Sequence, residues 1–505
     1  MNRSILEYLE ESGERYPEKV AFADVNTSCT YQELIHRARR IGTALSRRVK
    51  PGRPVPVFMD RGVDTICLFM GIVYAGCFYV LLDTKQPKAR IKQILDTLCA
   101  DVLITTKEYD KDREGLDIRQ SLYELQELEQ EEVDELRLSQ IRENALDIDP
   151  LYGIFTSGST GVPKGVVISH RSVIDFIDHF TEIFDIDSED VIGNQAPWDF
   201  DVSVKDIYST LKTGATMQII PKQYFSFPGK LIDFLCERQV TTLIWAVSAL
   251  CMITTLKGFD YRIPTRIRKV MFSGEVMPVK HLNLWREAIP DAMYVNLYGP
   301  TEITCNCSYH IIDREYQPGE TLPIGKSFPN EKVFLLDEDN LLITEPGKQG
   351  EICVSGTALA LGYFNNPEQT NRAFVQNPLN PWYLETIYRT GDLGIYNENN
   401  ELCFSSRKDF QIKHMGHRIE LGEIESAMDR IEQVGRACCI YDEESSKILM
   451  FYEGVMEKRQ IMKELREILP AFMLPNKYYP LDKLPMTKNG KIDRKSLIQE
   501  YRGEV

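Results

Sequence analysis

Between Tyr31 and Arg48 the apolar positions Leu34, Ala38, Ile41 and Leu45 recur at helical spacing, and most of the intervening positions are polar or basic. Asp101 to Thr106 reads DVLITT, a short β-branched run that predicts a strand. Thr65 to Leu82 is almost continuously apolar, but Gly71, Tyr74 and Gly76 interrupt it. The pattern predicts a buried helix, a glycine break and a short strand ending at Asp83, rather than a membrane span. Glu124 to Glu135 (ELQELEQEEVDE) predicts a solvated amphipathic helix. Three further apolar runs, Leu151 to Phe155, Lys269 to Phe272 and Met293 to Leu297, lead straight into glycine-, proline- and hydroxyl-rich loops. Helix and strand alternate, so the expected class is α/β with parallel sheets covered by helices. Ligands of such sheets sit beyond the carboxyl ends of the strands, which makes the three loops candidates for one cleft.

Length and charge narrow this picture. At ~100–200 residues per domain, 505 residues correspond to roughly three or four structural units. A net charge of −16 disfavours general binding to nucleic acid or anionic membranes. Residues 409–505 are close to neutral, with 16 basic and 17 acidic side chains, so nearly all the excess acid lies before them. That break predicts an N-terminal domain over 1–408 and a small C-terminal domain over 409–505. The twelve cysteines contain no C-x-x-C pair, and acids interrupt the apolar residues of the first turns, so the expected setting is the reducing cytoplasm, with no membrane insertion.

The string Thr156-Ser157-Gly158-Ser159-Thr160-Gly161-Val162-Pro163-Lys164-Gly165 offers four hydroxyls, three glycines and one positive charge. Such a loop suits a polyphosphate, because its backbone N–H groups can approach the anion closely. It is not a Walker A loop, since no G-K-[ST] triplet closes it.

This string resembles the phosphate loop of the adenylate-forming superfamily, which includes acyl-CoA synthetases and the amino-acid adenylation domains of nonribosomal peptide synthetases. Six further strings resemble that family in order: Asn296-Leu-Tyr-Gly-Pro-Thr-Glu302, Gly350-Glu-Ile-Cys-Val-Ser-Gly356, Tyr388-Arg-Thr-Gly-Asp-Leu-Gly394, Arg407-Lys-Asp-Phe-Gln-Ile-Lys413, Gly416-His-Arg-Ile-Glu-Leu-Gly-Glu423 and Asn489-Gly-Lys-Ile-Asp493. The resemblance implies a large N-terminal region of stacked, helix-covered sheets with a small barrel-like subdomain, followed by a mobile α+β C-terminal domain. It implies ATP and Mg²⁺ as cofactors. Tyr298 and Phe404 would sandwich adenine, Asn296 would meet its edge, and Asp392 would accept two ribose hydroxyls beside Arg407. Glu302 would be the metal ligand, Thr301 a donor to the α-phosphate, and Lys491 the catalytic lysine that bridges the substrate carboxylate and the α-phosphate. Asp409 stands at the family's hinge, so the C-terminal domain is expected to swing after adenylation, withdrawing Lys491 and bringing the Gly416 segment to a thiol tunnel.

Phe200-Asp201-Val202-Ser203 resembles the segment in which amino-acid adenylation domains place an aspartate for the substrate ammonium, which favours an α-amino acid over a fatty acid. The remaining pocket positions implied are Val202, Lys205, Ile244, Met271, Ser273, Leu297, Cys305 and Asn306. Lys205 has three readings: it neutralises Asp201, it meets a polar or acidic substrate side chain, or it runs along the wall to solvent. D-alanine:carrier-protein ligase, which serves teichoic-acid D-alanylation, is the alternative within the family. It resembles the chain in Asn194-Gln-Ala-Pro197 and Ser273-Gly-Glu-Val276, but carries a methionine where Lys205 stands and a cysteine where Ser273 stands. Fourteen residues after Lys491 leave no room for a carrier domain, so the expected acceptor is the phosphopantetheine of a separate carrier protein. An acyl-CoA synthetase and a non-catalytic nucleotide-binding protein are the remaining readings.

Overall fold

The computed structural model describes residues 2–158, 162–317, 319–408, 411–486 and 492–503. Ser159, Thr160, Gly161, Asp409 and Lys491 lie outside these.

Two helix-covered sheets share the largest hydrophobic core. In the nine-stranded sheet, Thr216–Ile219, Val191–Asn194, Thr242–Ala246, Lys269–Ser273 and Met293–Tyr298 run parallel, and the antiparallel Ser308–Ile311 follows the last of them. The seven-stranded sheet places Pro54–Phe58 between Phe78–Leu82 and Val102–Thr105, all parallel. Pro150–Thr156 and the antiparallel Lys164–Ser169 continue it on the other side of Phe78–Leu82. The helices Tyr31–Ser46, Val63–Tyr74, His170–Ile183 and Val202–Thr213 contribute their apolar faces to the shared core. Thr30 starts the first of these with a capping box closed by Glu33, and Gly76 at φ 71° makes the break that turns Val63–Tyr74 into the strand Phe78–Leu82.

The small subdomain is a six-stranded antiparallel sheet over residues 331–407. Its long strand Thr386–Tyr396 pairs with Gln349–Gly356 along one side, and with Phe374–Gln376 and then Leu402–Arg407 along the other. The C-terminal unit is α+β. A hairpin of Gln411–His414 and His417–Glu420 precedes a three-stranded sheet, and the helices Leu421–Met428, Lys458–Arg466 and Arg494–Gly503 complete two cores of its own.

The acidic run departs from the expected solvated helix. Leu125 and Leu128 are fully buried in a one-turn helix, and the next helix begins only at Glu135. Glu129, Glu131 and Glu135 pair with Arg37, Arg47 and Arg39 on or just after the helix Tyr31–Ser46. The local pattern held no signal that a basic helix face would cover the run. Among the described residues no helix is long and apolar enough to cross a membrane.

Candidate active site

One cavity lies beyond the carboxyl ends of both parallel sheets, where the expected loops converge. Thr156 and Ser157 come from the phosphate loop, Ser273 from the end of Lys269–Ser273, and Thr301, Cys305 and Asn306 from the segment after Met293–Tyr298. Asp201 and Val202 contribute from the start of a helix, Asp392 and Arg407 from the small subdomain, and Lys413, Gly416, Arg418 and Phe472 from the C-terminal unit.

Asp201 receives a hydrogen bond from Thr301; burial pushes its carboxyl up, against the hydrogen bond and the charges of Lys205 and Lys413. Asp392 is aimed inward by a bulge at Gly391, whose φ of 72° suits glycine. One Asp392 oxygen pairs with Arg407 and the other accepts from the Tyr298 hydroxyl at 2.6 Å. Glu302 is 1% exposed. Burial would raise its carboxyl, but the Arg418 guanidinium at 2.6 Å and the Tyr363 hydroxyl at 2.7 Å outweigh that and hold it below the usual range.

The C-terminal hairpin and the helix Leu421–Met428 that follows it bring charged groups to the cavity and its surroundings. Arg418 supplies the cation at Glu302. Glu423 accepts from the Gly158 N–H at 3.2 Å and pairs with Arg90 at 2.5 Å, with both side chains buried. Ser157 Oγ donates to the Arg418 carbonyl at 2.9 Å, and Lys164 Nζ stands 3.9 Å from Glu420. The phosphate loop thus holds a carboxylate, and the expected metal ligand holds a guanidinium. The buried Glu302 carboxylate has the negative charge that a divalent cation would need, and Arg418 compensates it here. No cluster of three metal-ligating side chains exists among the described residues.

Other expected residues are not among those that line the cavity. Tyr298 and Phe404 pack into the core of the small subdomain; Lys413 Nζ, its charged form disfavoured by burial, lies 5.6 Å from the Tyr298 ring centre. Asn296 is buried, its amide donating to the Pro323 carbonyl at 2.7 Å. Ile244, Met271 and Leu297 pack in the shared core, off the cavity wall; Met271 is two residues before Ser273 on the same sheet face. Lys205 does not run to solvent, since it is fully buried, and it makes no ion pair with Asp201. Its Nζ donates to Asn306 Oδ1 at 2.6 Å and lies 3.4 Å from Ser273 Oγ. Sequence reasoning missed Arg90 and Phe472, which sit in ordinary amphipathic surroundings with no motif to mark them. It quoted the strings holding Lys413 and Arg418 without giving either side chain a role.

The chain matches the AMP-binding enzyme family over residues 9–364 and the AMP-binding enzyme C-terminal domain over 423–491. It is 32% identical to tyrocidine synthase 1 of Brevibacillus parabrevis over 98% of its own length, and spans 45% of that protein. Other peptide synthases that it matches are longer still; it covers 9% of bacitracin synthase 1 of Bacillus licheniformis. It is also 32% identical to zwittermicin A synthase ZmaJ of Bacillus cereus, covering 98% of this chain and 95% of that one. Its fold matches the Vibrio cholerae adenylation domain AlmE, solved with glycyl-adenosine-5′-phosphate, at a TM-score of 0.85 over 100% of this chain and 98% of that one, with 22% identity. With its seven ordered strings, these matches show that the chain belongs to the AMP-binding, adenylate-forming enzymes of the nonribosomal peptide synthetase type.

Proposed function

We propose that the protein joins an amino acid to ATP as aminoacyl-AMP with release of pyrophosphate, and then passes the aminoacyl group to the phosphopantetheine thiol of a carrier protein. The observation that carries this reading is the convergence of Asp201, Thr301, Asp392, Thr156 and Ser157 on one cavity. A buried carboxylate at that place suits an ammonium and ill suits a fatty chain. Asp392 and Arg407 would hold the ribose, Thr301 the α-phosphate, and Glu302 the divalent cation, which neutralises phosphate charge when bound.

In this reading the Gly416 hairpin, which lines the cavity, occupies the position for thiol transfer. Lys491 and the hinge at Asp409, between domains 1–408 and 409–505, complete the adenylating arrangement. Asp409→Pro is expected to abolish carrier loading while leaving most adenylation, because proline fixes φ near −65° and so restricts the hinge. Normal loading in a stopped-flow assay would remove Asp409 from that role.

The decisive experiment is ATP–pyrophosphate exchange with the common L- and D-amino acids. One amino acid, or a small chemically related group, is expected to return label to ATP. Activity with fatty or aryl acids alone would place the protein among the acyl-CoA synthetases.

A further inference from the structure

Lys205 presents a charge that the reaction so far described does not use. It is fully buried on the helix Val202–Thr213, and its ammonium faces Asn306 Oδ1 at 2.6 Å, Ser273 Oγ at 3.4 Å and the Cys305 thiol. All three neighbours are neutral, and all three line the cavity. Among the described residues no carboxylate makes an ion pair with it.

Two carboxylates act on Lys205 at longer range. Asp206 is buried and accepts from the Asn194 amide at 2.5 Å; burial pushes its carboxyl up to about 7, which weakens it as a counter-charge. Asp201 is the other, and a bound amino acid places its own ammonium against it. From that moment Lys205 is a buried cation without a full counter-charge, which is unfavourable unless the substrate supplies one. The substrate's α-carboxylate is engaged at the phosphate side, beside Thr301. Its side chain is left to face Ser273 and Asn306, the wall residues behind which the Lys205 ammonium lies.

We infer that the substrate is an α-amino acid whose side chain ends in a carboxylate, as in aspartate or glutamate, and that Lys205 selects it across the Ser273–Asn306 wall. The inference rests on the amino-acid reading of the cavity. Charge pairs with charge in the filled pocket: ammonium with Asp201, side-chain carboxylate with Lys205. A methyl side chain would leave the Lys205 ammonium unanswered, which disfavours D-alanine.

The test is pyrophosphate exchange by the full chain with Mg²⁺ and ATP, comparing aspartate, glutamate, asparagine, glutamine, alanine, leucine and lysine in both stereochemical forms. An acidic amino acid is expected to give the highest kcat/KM, at least tenfold above its amide counterpart, equivalent to about 1.4 kcal/mol. Lys205→Met is expected to reduce that preference at least tenfold, chiefly through KM for the amino acid, with KM for ATP unchanged; Lys205→Arg should restore part of it. A neutral or basic amino acid as the best substrate of the wild-type protein would overturn the inference and leave amino-acid activation standing. So would an unchanged preference in Lys205→Met. Failure of every amino acid, with activity on a fatty or aryl acid, would instead overturn the underlying reading. Should Lys205→Met not fold, wild-type selectivity decides alone.

Discussion

Adenylate formation by Lys491→Ala is expected to fall by about 10²- to 10³-fold or more, the usual loss when a group that stabilises transition-state charge is removed. Attack of a substrate carboxylate on the α-phosphate brings two anions together while pyrophosphate departs. A lysine bridging them lowers that barrier, and alanine leaves the repulsion unscreened. Transfer from a purified aminoacyl adenylate to the carrier should survive, because in the two-orientation reading Lys491 has left the site before the thiol arrives. Exchange assays measure the first half-reaction and single-turnover carrier loading the second. An equal fall in both would rule out two orientations.

Carrier loading by Arg90→Met is expected to fall by at least about 10²-fold, while adenylation keeps its rate. The pair of Arg90 and Glu423 joins the first 100 residues to the C-terminal helix Leu421–Met428, with side chains 6% and 3% exposed. Removing one partner of such a pair strands the other as a buried charge, at about 3–5 kcal/mol. That penalty applies only while Glu423 is docked, so it shifts the equilibrium away from this orientation. The double variant Arg90→Met, Glu423→Leu should recover much of the loss, because it leaves no charge behind. Loading at the wild-type rate in Arg90→Met would show that the pair does not hold the transfer orientation.

The same geometry predicts an effect of product. Glu423 sits on the N–H of the phosphate loop and Arg418 on Glu302, so each C-terminal charge occupies a position suited to phosphate or to its cation. Added magnesium pyrophosphate should therefore slow loading from pre-formed adenylate, and Arg418→Ala should weaken that competition. Equal inhibition of both proteins would show that Arg418 and the ion do not compete.

Much of the site was legible in contiguous strings. Thr156 and Ser157, the described start of the expected phosphate loop, reach the cavity because their strand carries them to its own carboxyl end. Tyr388 to Gly394 likewise carry both the glycine that turns the strand and the aspartate that it aims. Helix and strand patterns were equally local: Leu34, Ala38, Ile41 and Leu45 marked a helix face, and Gly76 marked the break before Phe78–Leu82.

The sequence by itself therefore determined the family, the α/β architecture and the identities of the charged groups. Only the tertiary structure decided which of them meet. Residues 116 positions apart make the Arg418–Glu302 pair and 333 apart the Arg90–Glu423 pair, and no local pattern encodes either. Depth beneath the cavity was also undecided in one dimension, because Met271 and Ser273 share a sheet face yet one lies in the core and the other on the wall. The acidic run and Lys205 show the same physics. A charge is stable only where the fold supplies or withholds its partner, and that depends on segments distant in the chain.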